Sequence, residues 1–151
     1  MTQLKPGDKA PAFKGIDQSG TTHSLTDYQG KKVILFFYPK ASTPTCTVEA
    51  CNLRDNFELL QDKGYVLLGV SADTAGAQEK FANKHSLPFP LLADVDKTII
   101  QAYQVWGPKK FMGKEFDGIH RTTFVIDEKG VISQVIAKVN SKDHAAQILQ
   151  G

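Results

Sequence analysis

The chain contains an unbroken run of apolar residues, Val33 to Tyr38, made of β-branched, aliphatic and aromatic side chains, which limits the folds it can adopt. A strand with one face in water alternates apolar and polar residues, whereas a strand covered on both faces is apolar throughout. We therefore expect a central strand here, packed on both sides. The run is too short to span a bilayer, so no membrane association is expected.

Turn-forming residues divide the rest of the chain into alternating short strands and helices. The spacing predicts helices over 44–63, 75–85, 95–103 and 142–150, a second buried strand over 65–71, and hairpins over 13–25 and 121–137. Strands that alternate with helices are typical of parallel pairing with helices on both faces, and the hairpins add antiparallel pairs. With 151 residues and 16.6 kDa, the sequence predicts a single α/β domain, 1–151, around a mixed sheet.

Charge and histidine content argue against two classes of function. Eighteen basic and 16 acidic residues give a net charge of +2, and only Arg54 and Arg121 are arginines, so there is no basic stripe for nucleic acid. We expect His23, His85 and His144 at the surface, with no ligand spacing among them. Two cysteines without a nearby histidine do not complete a structural zinc site, so no metal is expected.

A well-marked helix start follows the central strand. Thr43 is suited to the N-cap and Pro44 to the first helical position, which makes Cys46 the third residue of the helix. A thiolate at that position meets free backbone N–H groups and the positive end of the helix dipole. The core-facing stripe of this helix comprises Cys46, Ala50, Leu53, Phe57 and Leu60.

The two cysteines, Cys46 and Cys51, lie on this same helix. Residues five apart in an ideal helix have Cα atoms roughly 8 to 9 Å apart, whereas a disulfide needs them within about 7 Å. Either the two never pair, or the first turns of the helix unwind to let them. A small buried hydrophobe at Cys46 and an inert mid-helix thiol at Cys51 are the alternatives to a reactive pair.

The neighbours of Cys46 form the pattern Pro39-x-x-x-Thr43-x-x-Cys46-x-x-Glu49. This pattern resembles the active-site motif of the peroxiredoxins, thiol peroxidases with a thioredoxin-like fold. The segment 37–51 is similar to the peroxiredoxin Q group, also called bacterioferritin comigratory proteins. The similarity extends to 5–11, 105–107 and 118–127. Where many relatives have glycine before the reactive cysteine, this chain has Thr45.

The resemblance implies roles for four residues. Cys46 matches the peroxidatic cysteine, and Cys51 matches the resolving cysteine, which would form an intramolecular disulfide with it. Arg121 matches the guanidinium that stabilises the thiolate, and the Thr43 hydroxyl would donate to a peroxide oxygen in addition to capping the helix. The implied fold is thioredoxin-like, with a central mixed sheet flanked by helices and an added N-terminal hairpin.

Two further residues of the motif have supporting roles in this interpretation. Pro39 has no N–H and would shield the thiolate from water without competing for it; its alternative is a plain loop proline. Glu49 alone would disfavour a neighbouring thiolate, so we expect it to orient Arg121, the alternative being a solvated helix carboxylate. Trp106 and the segment 109–116 either cover the site or, for Trp106, belong to the core.

The expected activity is reduction of hydrogen peroxide and organic hydroperoxides, with no cofactor and with thioredoxin or a similar dithiol as reductant. The resemblance implies a monomer, with a weak dimer as the alternative. Residues 1–6 lack the features of a secretory signal, so a cytoplasmic protein is expected. Two other functions stay open: a protein thiol–disulfide oxidoreductase, although Cys-x-x-Cys is lacking, and a redox sensor without peroxidase turnover.

Overall fold

A computed structural model of the chain describes residues 2–151, apart from the side chain of Phe111; Met1 lies outside the described residues. Within them the strands are β1 (Lys14–Ile16), β2 (Thr22–Ser24), β3 (Lys32–Phe37), β4 (Tyr65–Ser71), β5 (Leu91–Ala93), β6 (Trp106–Phe111), β7 (Lys114–Ile119), β8 (Thr122–Ile126) and β9 (Ile132–Ile136). The α-helices are α1 (Pro44–Asp55), α2 (Phe57–Asp62), α3 (Ala75–His85), α4 (Thr98–Ala102) and α5 (His144–Gln150).

A five-stranded sheet in the order β5-β4-β3-β8-β9 forms the centre of the molecule. Strand β3 runs parallel to β4 and antiparallel to β8, while β4 pairs in parallel with β5 and β8 pairs antiparallel with β9. The β1–β2 hairpin is a separate two-stranded sheet. The predicted α/β fold with a mixed sheet and an added N-terminal hairpin is therefore confirmed.

The core occupies both faces of this sheet, as the apolar run predicts. Alternate residues of that run point to opposite sides. Ile34, Phe36 and Tyr38 pack with apolar residues of α1, α2, α3 and α5, and Val33, Leu35 and Phe37 pack with α4 and the N-terminal segment. Each of these six side chains is at most 1 % exposed.

The helix predicted over 44–63 is interrupted at Asn56, which has φ −108° and ψ 11° and separates α1 from α2. The Asn56 side-chain amide donates to the Asn52 carbonyl at 2.8 Å, a local bond with which asparagine competes against regular helix geometry. The predicted helix at 95–103 begins only at Thr98, because Lys97 before it is left-handed with φ 62°. A 3₁₀ turn over Ser141–Asp143 replaces the start of the last predicted helix.

Two elements are absent from the sequence prediction. Strand β5 has three residues, too few for a periodic pattern. The β6–β7 hairpin turns through Met112 and Gly113, both at positive φ. Most of β7 is exposed, so it has no buried face whose apolar alternation would reveal a strand. Pairing within the hairpin, rather than burial, holds these residues extended.

Candidate active site

The central strand and the first helix together deliver Cys46. Strand β3 ends at Phe37, the chain crosses a loop to Thr43 in extended conformation, and α1 begins at Pro44. Cys46 is therefore the third helical residue, as the capping pattern predicts, and it is only 2 % exposed. The site lies at the carboxyl end of a central strand, where α/β sheets generally place their ligands.

Side chains from the neighbouring strand and helix hold this loop in place. Asp73, just beyond β4, accepts hydrogen bonds from the Ala41 N–H at 2.7 Å and the Ser71 hydroxyl at 2.6 Å. The Tyr38 hydroxyl donates to Gln78 Oε1, and burial raises the pKa of Tyr38, which keeps it a neutral donor. Asp73 was not predicted from the sequence, although a carboxylate just after a parallel strand was a usable signal.

Strand register brings Arg121 to Cys46. Thr122 pairs with Phe37, so the residue before Thr122 lies beside the end of β3. The guanidinium forks: one amino group donates to Cys46 Sγ at 3.2 Å, and the other donates to Glu49 Oε1 at 2.6 Å. Arg121 is 75 positions from Cys46 and 72 positions from Glu49 in the sequence, and the three side chains form one contiguous cluster.

Glu49 is fully buried at 0 % exposure, unlike the solvated carboxylate considered as its alternative. Burial disfavours its charge and raises the pKa of Glu49 to about 7, even though Arg121 acts in the opposite direction. Its Oε2 has no hydrogen-bond partner among the described residues. His144 Nε2 lies 3.5 Å from this oxygen.

The prediction that His144 lies at the surface is wrong: its side chain is completely buried behind Glu49. Nε2 is 2.7 Å from the Thr123 hydroxyl, and Nδ1 is 2.8 Å from Gln147 Oε1. Burial lowers the pKa of His144, with the charge of Arg121 acting in the same direction. Its spacing was a usable signal, since His144, Ala145 and Ile148 form one buried face of α5.

Thr43 and Pro39 both lie in the loop before α1, and both are half-buried. Thr43 occupies the N-cap, but its hydroxyl donates to the Lys40 carbonyl at 2.8 Å, and no side-chain cap hydrogen bond forms. The predicted capping bond of Thr43 is therefore wrong. Its carbonyl instead accepts from the N–H and the hydroxyl of Thr47, at 2.9 and 2.8 Å.

Cys51 lies five residues, about 1.4 turns, beyond Cys46 on α1 and is partly exposed. Both thiols are free. With α1 continuous between them, the two thiols are kept on one intact helix, the arrangement in which they cannot bond.

The β6–β7 hairpin adds a second cation near the thiol. Lys109 donates to the Ile119 carbonyl at 2.8 Å. Burial and the nearby Arg121 charge lower the pKa of Lys109, while Cys46 acts in the opposite direction. Trp106 packs against the core on the sheet face away from α1, with Lys97 Nζ 5.0 Å from its ring centroid.

Among residues 2–151, no cluster of three or more His, Cys, Asp or Glu side chains is arranged to hold a metal ion. No helix in this part of the chain combines the length and the apolar character needed to cross a membrane.

Comparison with known proteins gives a consistent result. A model of the AhpC/TSA family matches residues 6–135. Peroxiredoxin Bcp of Escherichia coli is 46% identical over 149 residues, which are 99% of this chain and 96% of that protein. Among solved structures, BcpB of Mycobacterium tuberculosis has a TM-score of 0.86 at 35% identity and covers 98% of this chain and 96% of its own.

A second structure is the bacterioferritin comigratory protein of Xanthomonas campestris, described for its alkyl peroxide reduction activity. It has a TM-score of 0.87 at 29% identity, with coverage of 99% of this chain and 96% of the other. The family match, the near-complete coverage and the shared fold lead to one conclusion. The chain belongs to the AhpC/TSA family, as a peroxiredoxin of the Bcp or peroxiredoxin Q type, and is a thiol-dependent peroxidase.

Proposed function

We propose that Cys46 is the peroxidatic cysteine of this peroxidase and that Arg121 stabilises its thiolate. The observation that carries the proposal is the forked guanidinium, with one arm on Cys46 Sγ at 3.2 Å and the other on Glu49 at 2.6 Å. A permanent positive charge favours the anion over the thiol, and the helix-start amides act in the same direction. Glu49 is the positioning residue that holds the fork.

The first step transfers one peroxide oxygen to sulfur. The Cys46 thiolate attacks one oxygen of the peroxide, the S–O bond forms and the O–O bond breaks. The second oxygen leaves as hydroxide, or as an alkoxide when the substrate is organic, and takes a proton from water. Sulfur is oxidised to sulfenic acid and the peroxide is reduced.

Thr43 and Pro39 are assigned supporting parts in this step. The Thr43 hydroxyl, now on the Lys40 carbonyl, would turn to donate to a peroxide oxygen when substrate binds. Pro39 presents a ring without an N–H in the loop that leads to the site, so it limits water without offering a competing donor. Both residues stand in the half-buried loop between β3 and α1.

The second step joins Cys51 to Cys46. The Cys51 thiol attacks the sulfenic acid, a disulfide forms and water leaves. Because an intact helix keeps the two Cα atoms roughly 8 to 9 Å apart, α1 must unwind from Pro44 to about Leu53. The partial exposure of Cys51 and its place on the same helix support the pairing.

As substrates we propose hydrogen peroxide and organic hydroperoxides, the latter supported by the alkyl peroxide reduction described for the Xanthomonas campestris relative. A dithiol such as thioredoxin would then reduce the disulfide through thiol–disulfide exchange.

We further propose one domain over 1–151, supported by two core clusters that share the same sheet. A cytoplasmic monomer, with a weak dimer as the alternative, completes the proposal; sedimentation at increasing concentration tests the assembly.

The test is peroxide consumption coupled to thioredoxin, its reductase and NADPH, in three proteins. We expect turnover in the wild type, none in Cys46→Ser, and a single turnover in Cys51→Ser. Full turnover in Cys51→Ser would remove the resolving role of Cys51. If the wild type consumes no peroxide even with a small dithiol, the redox-sensor or thiol–disulfide oxidoreductase function becomes the better assignment.

A further inference from the structure

Behind Arg121, the side chains of Glu49, His144, Thr123 and Gln147 form a buried polar cluster. With Glu49 ionised and His144 neutral, one acceptor oxygen of this cluster receives no hydrogen bond. Glu49 Oε2 is fully buried without a hydrogen-bond partner among the described residues. It faces His144 Nε2 at 3.5 Å, and both side chains are 0 % exposed. A buried carboxylate oxygen without a hydrogen-bond donor lowers the stability of the folded state, so its presence here calls for an explanation.

The hydrogen bonds of Gln147 fix where the His144 protons lie. The Asn140 N–H donates to Gln147 Oε1 at 2.7 Å, and Gln147 Nε2 donates to the Lys138 carbonyl at 3.0 Å. Oε1 is therefore an acceptor. His144 Nδ1, 2.8 Å from this oxygen, must carry a proton and donate it.

With Nδ1 protonated, the remaining ring nitrogen decides the state of the cluster. In neutral His144, Nε2 is an acceptor and takes the Thr123 hydroxyl proton at 2.7 Å. An ionised Glu49 would then present a second lone pair to Nε2 with no proton between them. One additional proton, on Glu49 Oε2 or on His144 Nε2, removes this conflict and supplies the missing hydrogen bond.

We propose that Glu49 and His144 share one buried proton and that this pair, acting through Arg121, governs how strongly the Arg121 charge stabilises the Cys46 thiolate. When the pair holds its proton it is neutral overall, and the Cys46 thiolate is the only anion beside the Arg121 guanidinium. When the proton leaves, Glu49 becomes an uncompensated anion on the other arm of the fork and competes with Cys46 for Arg121. His144 is thus a positioning residue for the reaction, and this inference rests on the proposed role of Cys46.

The charged surroundings of the pair are consistent with this sharing. The ionisable group that bears on both members of the pair is Arg121. Arg121 in turn interacts with Cys46 and, from the β6–β7 hairpin, with Lys109. Burial raises the pKa of Glu49 to about 7 and lowers that of His144, so it favours the neutral form of each group. Ionisable groups that interact at this distance titrate as a pair rather than singly.

The test measures the fraction of Cys46 present as thiolate, from its ultraviolet absorbance, across neutral pH. The Cys51→Ser background leaves Cys46 as the single thiol. His144→Gln replaces the shared-proton site with a permanent N–H donor to Glu49, which favours the ionised carboxylate. We expect this variant to lower the thiolate-to-thiol ratio at pH 7 on the order of tenfold.

Glu49→Gln is a fixed neutral mimic of the protonated carboxyl, so the opposite direction is expected: a thiolate-to-thiol ratio equal to or above that of the starting protein. In the Glu49→Gln background, His144→Gln should then have no effect. A purely structural His144 would instead lower the ratio in both backgrounds, which would overturn the proposal. His85→Gln is the control, because His85 packs on Phe81 of α3, and it should leave the ratio unchanged.

A measurement without a change at His144 keeps the inference testable even if the variants fold poorly. Nitrogen-15 chemical shifts of histidine side chains report which ring nitrogen carries a proton. We expect Nδ1 of His144 to stay protonated at every pH and Nε2 to shift as Cys46 ionises. A proton fixed on Nε2 with Nδ1 bare, or no response to Cys46, would refute the shared proton. Neither readout requires turnover, so a failure here is distinct from a failure of the peroxidase roles.

Discussion

At the scale of single residues, Arg121 is the least replaceable group of the candidate site. Its fork holds Cys46 Sγ and Glu49 Oε1 at once, with distances of 3.2 and 2.6 Å. A lysine has one ammonium group and no fork, so it keeps the charge but loses the geometry. We expect Arg121→Lys to slow oxidation of Cys46 by hydrogen peroxide on the order of a hundredfold, measured in a single turnover by stopped flow.

The only other arginine of the chain provides a matched control. Arg54 pairs with the exposed Asp55 and donates to the His85 carbonyl, at the far end of α1 from Cys46. Arg54→Lys should leave the rate of Cys46 oxidation unchanged. Equal rates in wild type and Arg121→Lys would show that charge alone, without the fork, is sufficient.

At the scale of elements, one side chain of helix α1, Asn52, forms two hydrogen bonds to the C-terminal segment. Asn52 donates to the Lys142 carbonyl at 3.0 Å and accepts from the Ala145 N–H at 2.9 Å. Both hydrogen bonds resist unwinding of the helix that carries the two cysteines. Asn52→Ala should lower the free energy of unfolding by about 1 to 3 kcal/mol and speed formation of the Cys46–Cys51 disulfide.

The disulfide rate is measured by acid quench after one equivalent of peroxide, and the free energy by denaturant titration. Asn83→Ala, an exposed asparagine on α3, is the control and should change neither quantity. A disulfide rate in Asn52→Ala equal to or below that of the wild type would show that these two bonds do not limit unwinding.

At the scale of the whole molecule, the buried carboxyl of Glu49 makes stability depend on pH. Its pKa is raised from an ordinary value of 4.5 to about 7, so the folded state binds more protons than the unfolded state between these values. The contribution of Glu49 to stability is therefore fully present below pH about 4.5 and is lost as the pH rises through about 7, by up to about 3 kcal/mol.

The measurement compares Glu49→Gln with its parent, both in the Cys46→Ser background, so that no thiolate competes for Arg121. The free energy of unfolding of the parent minus that of Glu49→Gln should fall steadily across this pH range. A difference that is flat or that rises with pH would mean that Arg121, rather than burial, decides the direction in which the pKa of the Glu49 carboxyl is shifted.

Much of the fold and part of the candidate site could be predicted because the signals are local. The run Val33 to Tyr38 required burial on both faces, and Thr43 with Pro44 marked the first residue of α1. The break at Asn56 was not predicted, since an apolar stripe does not report where a side chain competes for a backbone carbonyl. Strand β7 was missed because it has no buried face.

Capping and helical spacing involve near neighbours, so the amino-acid sequence alone places Cys46 at a helix start after a central strand and Cys51 on the same helix. The burial of His144 and Glu49, and the contacts of Glu49 with Arg121 and with His144, arise from the three-dimensional packing. The pairing of β8 with β3 and the packing of α5 on α1 bring those groups together. Their charges then depend on burial and on one another, and neither property is encoded in any single segment.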